Sequence, residues 1–420
     1  MNPELMNKAE IQALQENRFQ SVWPHIAATP LYDRKLRQAG IEALTVKSLS
    51  DLKRLPFTYK EEIRNTGVFE RTPLTAKDIY AIYSSGGTSG NPTLYAWSEK
   101  DVLVQTEVAK RILTSAGTTS LDLGLILAPL SLPVMGHCMV RQFSAVGAGF
   151  IPLGPSNPEK VVSLIRTLPI TVIATLPTVA SRLLEYMRFV MHLEIDERIQ
   201  VSQLQFGGDF LSNARRHRLE KTWHAKCYDF YGISEIFGPI CGECSCQDGL
   251  HFAADYVFIE VLDPQARQPV PEGKPGVAVY TTLWEKGFPL LRYWSNDYVT
   301  WTEKPCECGR NSPRMHFLGR TVDCADLQGR RLFAKEVEDV ILKFSIGDEY
   351  YCEYVTQDKR PTVQVNVEAI QGYPLPTREF CETLESVFNL PIQLNVANPG
   401  TLPRDQVKPR RLVGFPFNAL

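Results

Sequence analysis

Leu125-Ile-Leu-Ala-Pro129, Gly149-Phe-Ile-Pro-Leu153 and Thr171-Val-Ile-Ala-Thr175 are three short apolar runs within one stretch of the chain. Each reads as a buried strand, because a strand covered on both faces shows no polar alternation. A helix fits Met139 to Val146 between the first two, and an amphipathic helix fits Pro158 to Leu168 between the second and third. Another helix fits Pro177 to Met191. Strand, helix, strand in that order predicts a parallel, layered sheet, since crossover helices are what join parallel neighbours.

Upstream, the apolar spacing over Asn7 to Gly40 and the capped segment Ser48 to Arg54 predict a helical cap. Downstream, alternation in Tyr256 to Leu262 and Gly276 to Leu283 predicts antiparallel pairing. From Gly319 a last segment reads as helix (Lys335 to Phe344), strands (Tyr350 to Thr356, Thr362 to Glu368), helix (Thr377 to Phe388) and strand (Ile392 to Ala397). The 420 residues exceed the usual range of about 100 to 200 per domain. The expectation is an α/β fold: a large multi-subdomain N-terminal domain over 1–318 with layered parallel sheets, and a small α+β C-terminal domain over 319–420.

Hydrophobic residues make up 44% and charged residues 22%, with 45 Lys+Arg against 47 Asp+Glu. That balance excludes general disorder and a general affinity for nucleic acid. No apolar run approaches the roughly 20 residues of a membrane span, so the expectation is a cytoplasmic protein without membrane or nucleic-acid partners. Its ten cysteines are then expected to be reduced. Cys138, Cys227, Cys324, Cys352 and Cys381 read as small buried residues. The others crowd into Cys241/Cys244/Cys246 and Cys306/Cys308. Cys244 and His251 with Cys306 and Cys308 supply three thiolates and an imidazole, a set suited to a structural, tetrahedral Zn2+ in an insert of about 241–308. Cys241 or Cys246 are alternatives for a named ligand.

Six segments, in four groups, carry chemistry. Tyr83-Ser-Ser-Gly-Gly-Thr-Ser-Gly-Asn-Pro92 combines glycines, which let backbone N–H groups approach an anion, with hydroxyl donors. By itself such a run also suits a linker, and it lacks the Walker lysine. Gln205-Phe-Gly-Gly-Asp-Phe210 and Tyr228-Asp-Phe-Tyr-Gly-Ile-Ser-Glu235 pair aromatic faces for a purine with oxygen ligands for magnesium. Leu291-Arg-Tyr-Trp-Ser-Asn-Asp297 and Gly319-Arg-Thr-Val-Asp323 offer an acid for ribose hydroxyls, a cation for phosphate and a hinge residue. Gly400 to Arg411 holds Lys408 in an extended polar loop.

In this order and spacing the segments resemble the adenylate-forming superfamily, and most nearly the phenylacetate-coenzyme A ligase family. Asp51-Leu-Lys-Arg-Leu-Pro-Phe-Thr-Tyr-Lys-Glu-Glu62, Tyr231-Gly-Ile-Ser-Glu235, Gly249-Leu-His251, Cys306-Glu-Cys-Gly-Arg310 and Leu402-Pro-Arg404 carry the resemblance over nearly the whole chain. It implies an ATP- and acid-binding N-terminal domain and a mobile C-terminal one. Ser85, Gly86, Gly87, Thr88, Ser89 and Gly90 would cradle phosphates, and Gly207, Gly208 and Asp209 would line the adenine site. Tyr231 would stack on the base beside Gly232 and Ser234, and Glu235 would hold Mg2+. Asp297 would take the ribose, with Arg320 on the phosphate side and Asp323 as hinge. Lys408 would meet the carboxylate and α-phosphate, where charge builds during attack.

Two departures stand out. The family's Gly-Lys-Pro is Gly90-Asn91-Pro92 here, and its Arg-Thr-x-Asp is Trp294-Ser-Asn-Asp297. Met135, His137 and Phe237 fall where the acyl pocket would begin, a Met-rich, aromatic-poor wall. The implied activity is ATP-dependent activation of an aromatic acid to its acyl-adenylate and transfer to coenzyme A. The alternative is an adenylating enzyme of secondary metabolism serving an amine, another small nucleophile or a carrier-protein thiol. A homodimer is the oligomeric form to test.

Overall fold

The computed structural model describes residues 2–85, 92–327, 329–344, 346–357, 359–370, 374–404 and 408–416. The chain forms two compact units, neither of them a single continuous stretch. The first comprises residues 1–156, 170–174 and 228–317, and the second 157–169, 175–227 and 318–420.

In the first unit, Leu123–Ile126 pairs in parallel with Gly149–Pro152 and with Val172–Thr175. This is the parallel arrangement that the three apolar runs predict. The helix between the first two strands spans Val134–Val146, starting five residues before the expected Met139. Pro133 at its N-cap presets the entry, and Gly136 allows the first turn to press on Pro129, whose carbonyl oxygen would lie 2.1 Å from an added Cβ. Gly124 serves the same end on the strand side, where a Cβ would fall 2.3 Å from the Phe143 ring. Other strands of this unit pair antiparallel. Val257–Leu262 pairs with Gly276–Thr282, which pairs with Tyr293–Thr302. Lys226–Ile233, Gly238–Glu243 and Leu250–Phe252 pair in succession, and Arg314–Arg320 joins the last. The Leu49–Arg54 segment is a 3-10 turn with Asp51 accepting from the Ser48 amide at 3.0 Å, the capped piece anticipated there.

In the second unit, the helices Pro158–Thr167, Pro177–Glu185 and Asn213–Trp223 and the strand Gln203–Gly207 group with the C-terminal residues. The latter hold a four-stranded sheet in the order Ile392–Ala397, Arg360–Ala369, Ile346–Gln357, Leu412–Val413. Ala334–Ile341 and Thr377–Phe388 cover it, burying Val337, Ile341, Phe380 and Leu384 over Val363 and Val365. The expected Pro177–Met191 helix is α-helical only to Glu185 and continues to Val190 as a π turn.

Ion pairs bind the parts of this unit together. Arg215 and Glu338, both about 1% exposed, form a two-pronged pair with both contacts at 2.8 Å. Ser212 Oγ and Tyr350 OH donate to the same carboxylate at 2.7 and 3.2 Å. Arg182 and Arg411 share Glu349 at 2.8 and 2.9 Å. Arg218 donates to the carbonyls of Leu342, Phe344 and Ile346, which fixes the end of the Ala334–Ile341 helix. Among the described residues no helix is long and apolar enough to cross a membrane.

Candidate nucleotide and metal sites

In the first unit, Tyr231 comes from the Lys226–Ile233 strand and Asp297 from Tyr293–Thr302. Both side chains are buried, and Tyr231 OH donates to Asp297 Oδ2 at 2.5 Å while accepting from Tyr280 OH at 3.1 Å. Burial and the Asp297 charge push the Tyr231 phenol well up, so it stays a donor. The Tyr231 ring lies 5.3 Å from that of Phe317. Gly232 has a packing reason of its own: a Cβ there would lie 1.8 Å from the Gly238 carbonyl oxygen.

Ser234 and Glu235 occupy the turn that leads into Gly238–Glu243. Glu235 is buried, and its Oε1 accepts from Tyr293 OH at 3.1 Å and pairs with Lys60 Nζ at 3.2 Å. Burial works to raise this carboxyl, but the Lys60 ammonium and hydrogen bonds hold it below the usual carboxylate range. Glu235 is therefore an anion at neutral pH, available to a cation. Nothing in the sequence marks Lys60 by itself, although it lies inside the 51–62 segment that carries the family resemblance.

The expected acid pocket differs from its sequence reading. His137 Nε2 bonds the Ser131 carbonyl oxygen at 2.8 Å, and its ring stands 5.1 Å from Tyr83, which stands 4.8 Å from Trp97. Arg141 Nη2 donates to Tyr83 OH at 2.5 Å and its guanidinium lies 5.4 Å from the Trp97 ring. The wall around His137 is aromatic, not aromatic-poor; strands 81–84 and 94–97, flanking the glycine loop, supply the rings. Met135 is half-buried, and Phe237 is fully buried against Trp284 at 5.2 Å.

Ser85 donates its amide to the Thr93 carbonyl oxygen at 3.1 Å. Gly86, Gly87, Thr88, Ser89, Gly90 and Asn91 lie outside the described residues.

In the second unit, Gly207 ends a strand and Gly208 turns the chain at φ +85°. Asp209 Oδ1 then accepts from the Phe210 amide at 2.9 Å. Burial raises the Asp209 carboxyl, and the Lys408 ammonium opposes that rise. Burial also raises Asp323, opposed by Arg320, Arg410 and Lys408. Lys408, itself exposed, thus acts on two carboxylates that the sequence places far apart. Arg404 bridges Glu368 at 2.7 Å and Glu185 at 3.1 Å.

A separate cluster brings Cys244, His251, Cys306 and Cys308 together, with all ligand atoms within 4.8 Å of one another. Cys244 follows the Gly238–Glu243 strand, His251 sits on Leu250–Phe252, and the other two lie in the connection after Tyr293–Thr302. The Cys244 and Cys306 sulfurs are 3.8 Å apart, the separation of two thiolates about 2.3 Å from one tetrahedral ion. His251 Nε2 is 3.3 Å from Cys308 Sγ, and Nδ1 bonds Ser312 Oγ at 2.9 Å, the kind of outer contact that orients a ligand imidazole. Burial, with Arg310 nearby, pushes the imidazole down to about 4, so it is neutral and ligand-ready. Cys241 instead points to the Tyr231 carbonyl oxygen at 3.6 Å, and Cys246 is exposed. The residues present fit zinc.

The profile of the family described as AMP-binding enzyme matches residues 12–281. A phenylacetate-coenzyme A ligase of Thermus thermophilus is 32% identical over 346 residues, 81% of this chain and 77% of the relative. This chain belongs to the AMP-binding enzyme family. An Escherichia coli phenylacetate-coenzyme A ligase is 26% identical over 96% of this AMP-binding enzyme and 94% of its own length. The crystal structure of a 2-hydroxyisobutyryl-CoA ligase in complex with its acyl-AMP has the same fold, with a TM-score of 0.88 at 23% identity over 98% of this chain and 91% of that one.

Proposed function

We propose that this AMP-binding enzyme joins an aryl carboxylic acid to AMP from ATP, releasing pyrophosphate, and then passes the acyl group to the thiol of coenzyme A. The observation that carries the reading is the buried Tyr231–Asp297 pair beside an ionised Glu235, in a chain with a phenylacetate-coenzyme A ligase relative at 32% identity. In this reading Asp297 takes the ribose hydroxyls and Tyr231 borders the adenine. Gly207, Gly208 and Asp209 are assigned to the adenine, and Ser85 with Gly86 to Gly90 to the phosphates. Glu235 holds Mg2+ once the metal displaces Lys60. Arg320 faces phosphate, and Asp323 is the hinge about which the 319–420 segment turns. Lys408 offsets the charge that develops on the carboxylate and pyrophosphate oxygens. The rings around His137, with Met135 and Phe237, present flat surfaces to an aryl acid.

The test is pyrophosphate release over benzoates, phenylacetates and aminobenzoates, with and without coenzyme A. Acid-dependent release with a thioester product supports the reading; AMP formation indifferent to coenzyme A would shift the acceptor to an amine or carrier thiol.

We also propose that Cys244, His251, Cys306 and Cys308 hold one structural zinc. Metal analysis should give one zinc per chain, and Cys306→Ser should lose it with a lower Tm. A metal-free wild type of equal Tm would refute this.

A further inference from the structure

Lys286 lies outside both the Tyr231–Asp297 pair and the cysteine cluster. It is completely buried, and its Nζ makes no hydrogen bond among the described residues, although an ammonium carries three donors. Asp101 is close enough to act on it, but that carboxylate is already filled. Asp101 Oδ1 accepts from Trp284 Nε1 at 2.9 Å, and Oδ2 accepts from Gly287 N at 2.9 Å and from Ser98 N and Oγ at 2.7 and 3.0 Å. The other negative charge acting on Lys286 is Glu235, whose Oε1 already serves Tyr293 and Lys60.

Its surroundings contain other polar groups. Tyr95 OH, buried, faces Glu235 and Thr93 as hydrogen-bond partners. Tyr95 stacks on Phe288 at 6.0 Å, and Lys286 Nζ lies 5.7 Å from the same Phe288 ring. The guanidinium of Arg71, buried too, lies 5.3 Å from Phe288 and 5.9 Å from Tyr95. An orphaned ammonium is among the costliest groups to bury, and a Met would fill the volume without a charge. Two buried cations beside a metal-competent carboxylate make a set that a metal-bridged polyanion would complete.

We propose that Lys286, backed by Arg71, is a further anion-binding group of the Glu235 site, and that it takes an oxygen of the pyrophosphate moiety. The proposal rests on the adenylation reading above. It also gives this chain a cation at the phosphate end, where its sequence has Asn91 instead of lysine.

Binding of inorganic pyrophosphate with Mg2+ to the full chain, followed by calorimetry, tests it together with acid-dependent ATP–pyrophosphate exchange. Lys286→Met is expected to keep or raise Tm while weakening pyrophosphate binding at least tenfold and leaving the KM for the acid unchanged. A folded Lys286→Met that binds pyrophosphate within twofold of wild type overturns the proposal, as does a wild type that binds none. Should Lys286→Met not fold, Lys286→Gln decides: a loss of threefold or more supports the anion site, and unchanged binding overturns it. A wild type that binds pyrophosphate through Lys286 yet exchanges none with any acid sinks the adenylation reading alone.

Discussion

Replacing Lys408 by Ala is expected to slow acyl-adenylate formation by about 10²–10³, comparable to losing one oxyanion donor at roughly 2.7–4 kcal/mol. Single-turnover pyrophosphate release measures it, and an undiminished rate would remove Lys408 from the chemistry. At this scale the sequence shows residue types but not partners. Tyr231, Glu235 and Asp297 stand out because their segments have a recognisable order. Nothing local marks Lys60 as the partner of Glu235 or Lys286 as a buried charge, because a lysine in a polar stretch is ordinarily solvated. The Cys244, His251, Cys306 and Cys308 cluster is legible because thiol and imidazole spacing is rare; setting aside Cys241 and Cys246 as alternatives needs the strand pairing that aims each sulfur.

Between elements, the Asn213–Trp223 helix meets Ala334–Ile341 through the Arg215–Glu338 pair. Removing one partner strands the other charge in a dry environment, so Arg215→Met or Glu338→Gln alone should cost about 3–5 kcal/mol in urea unfolding. The double apolar replacement Arg215→Met with Glu338→Leu should be close to neutral, and equal losses in single and double variants would contradict this account. Burial works to raise the Glu338 carboxyl, but Arg215 holds it below its ordinary 4.5. A depressed carboxyl lends stability above its unfolded value and loses it as pH falls through the folded one. The stability advantage of wild type over Glu338→Gln should therefore shrink on acidification below about 4.5 and be flat from pH 6 to 8. The parallel strands and the Thr377–Phe388 helix were legible because periodicity and caps are local. The π turn at Tyr186–Val190 was not, since no side-chain pattern separates it from an α-helix.

For the molecule, a cut after residue 318 looks from sequence like a domain boundary, yet the second compact unit draws on 157–169 and 175–227 as well. A chain ending at 318 would leave Arg215 without Glu338, and Phe210 and Ala214 without the core they pack on. Limited proteolysis of a 1–318 fragment should cleave within 175–227, whereas the full chain should resist there; equal resistance would show that segment to be self-sufficient. Periodicity is a local signal, and tertiary partners far along the chain are invisible to it.

The same interleaving sets a timetable during synthesis. Residues 175–227 emerge well before residue 318, a delay on the order of ten seconds at ~5–20 residues per second. Throughout that interval a cation and an apolar helix face await a mate still inside the ribosome. Yield in a producing cell should then follow chaperone supply and translation speed more closely than it follows the finished enzyme's resistance to heat.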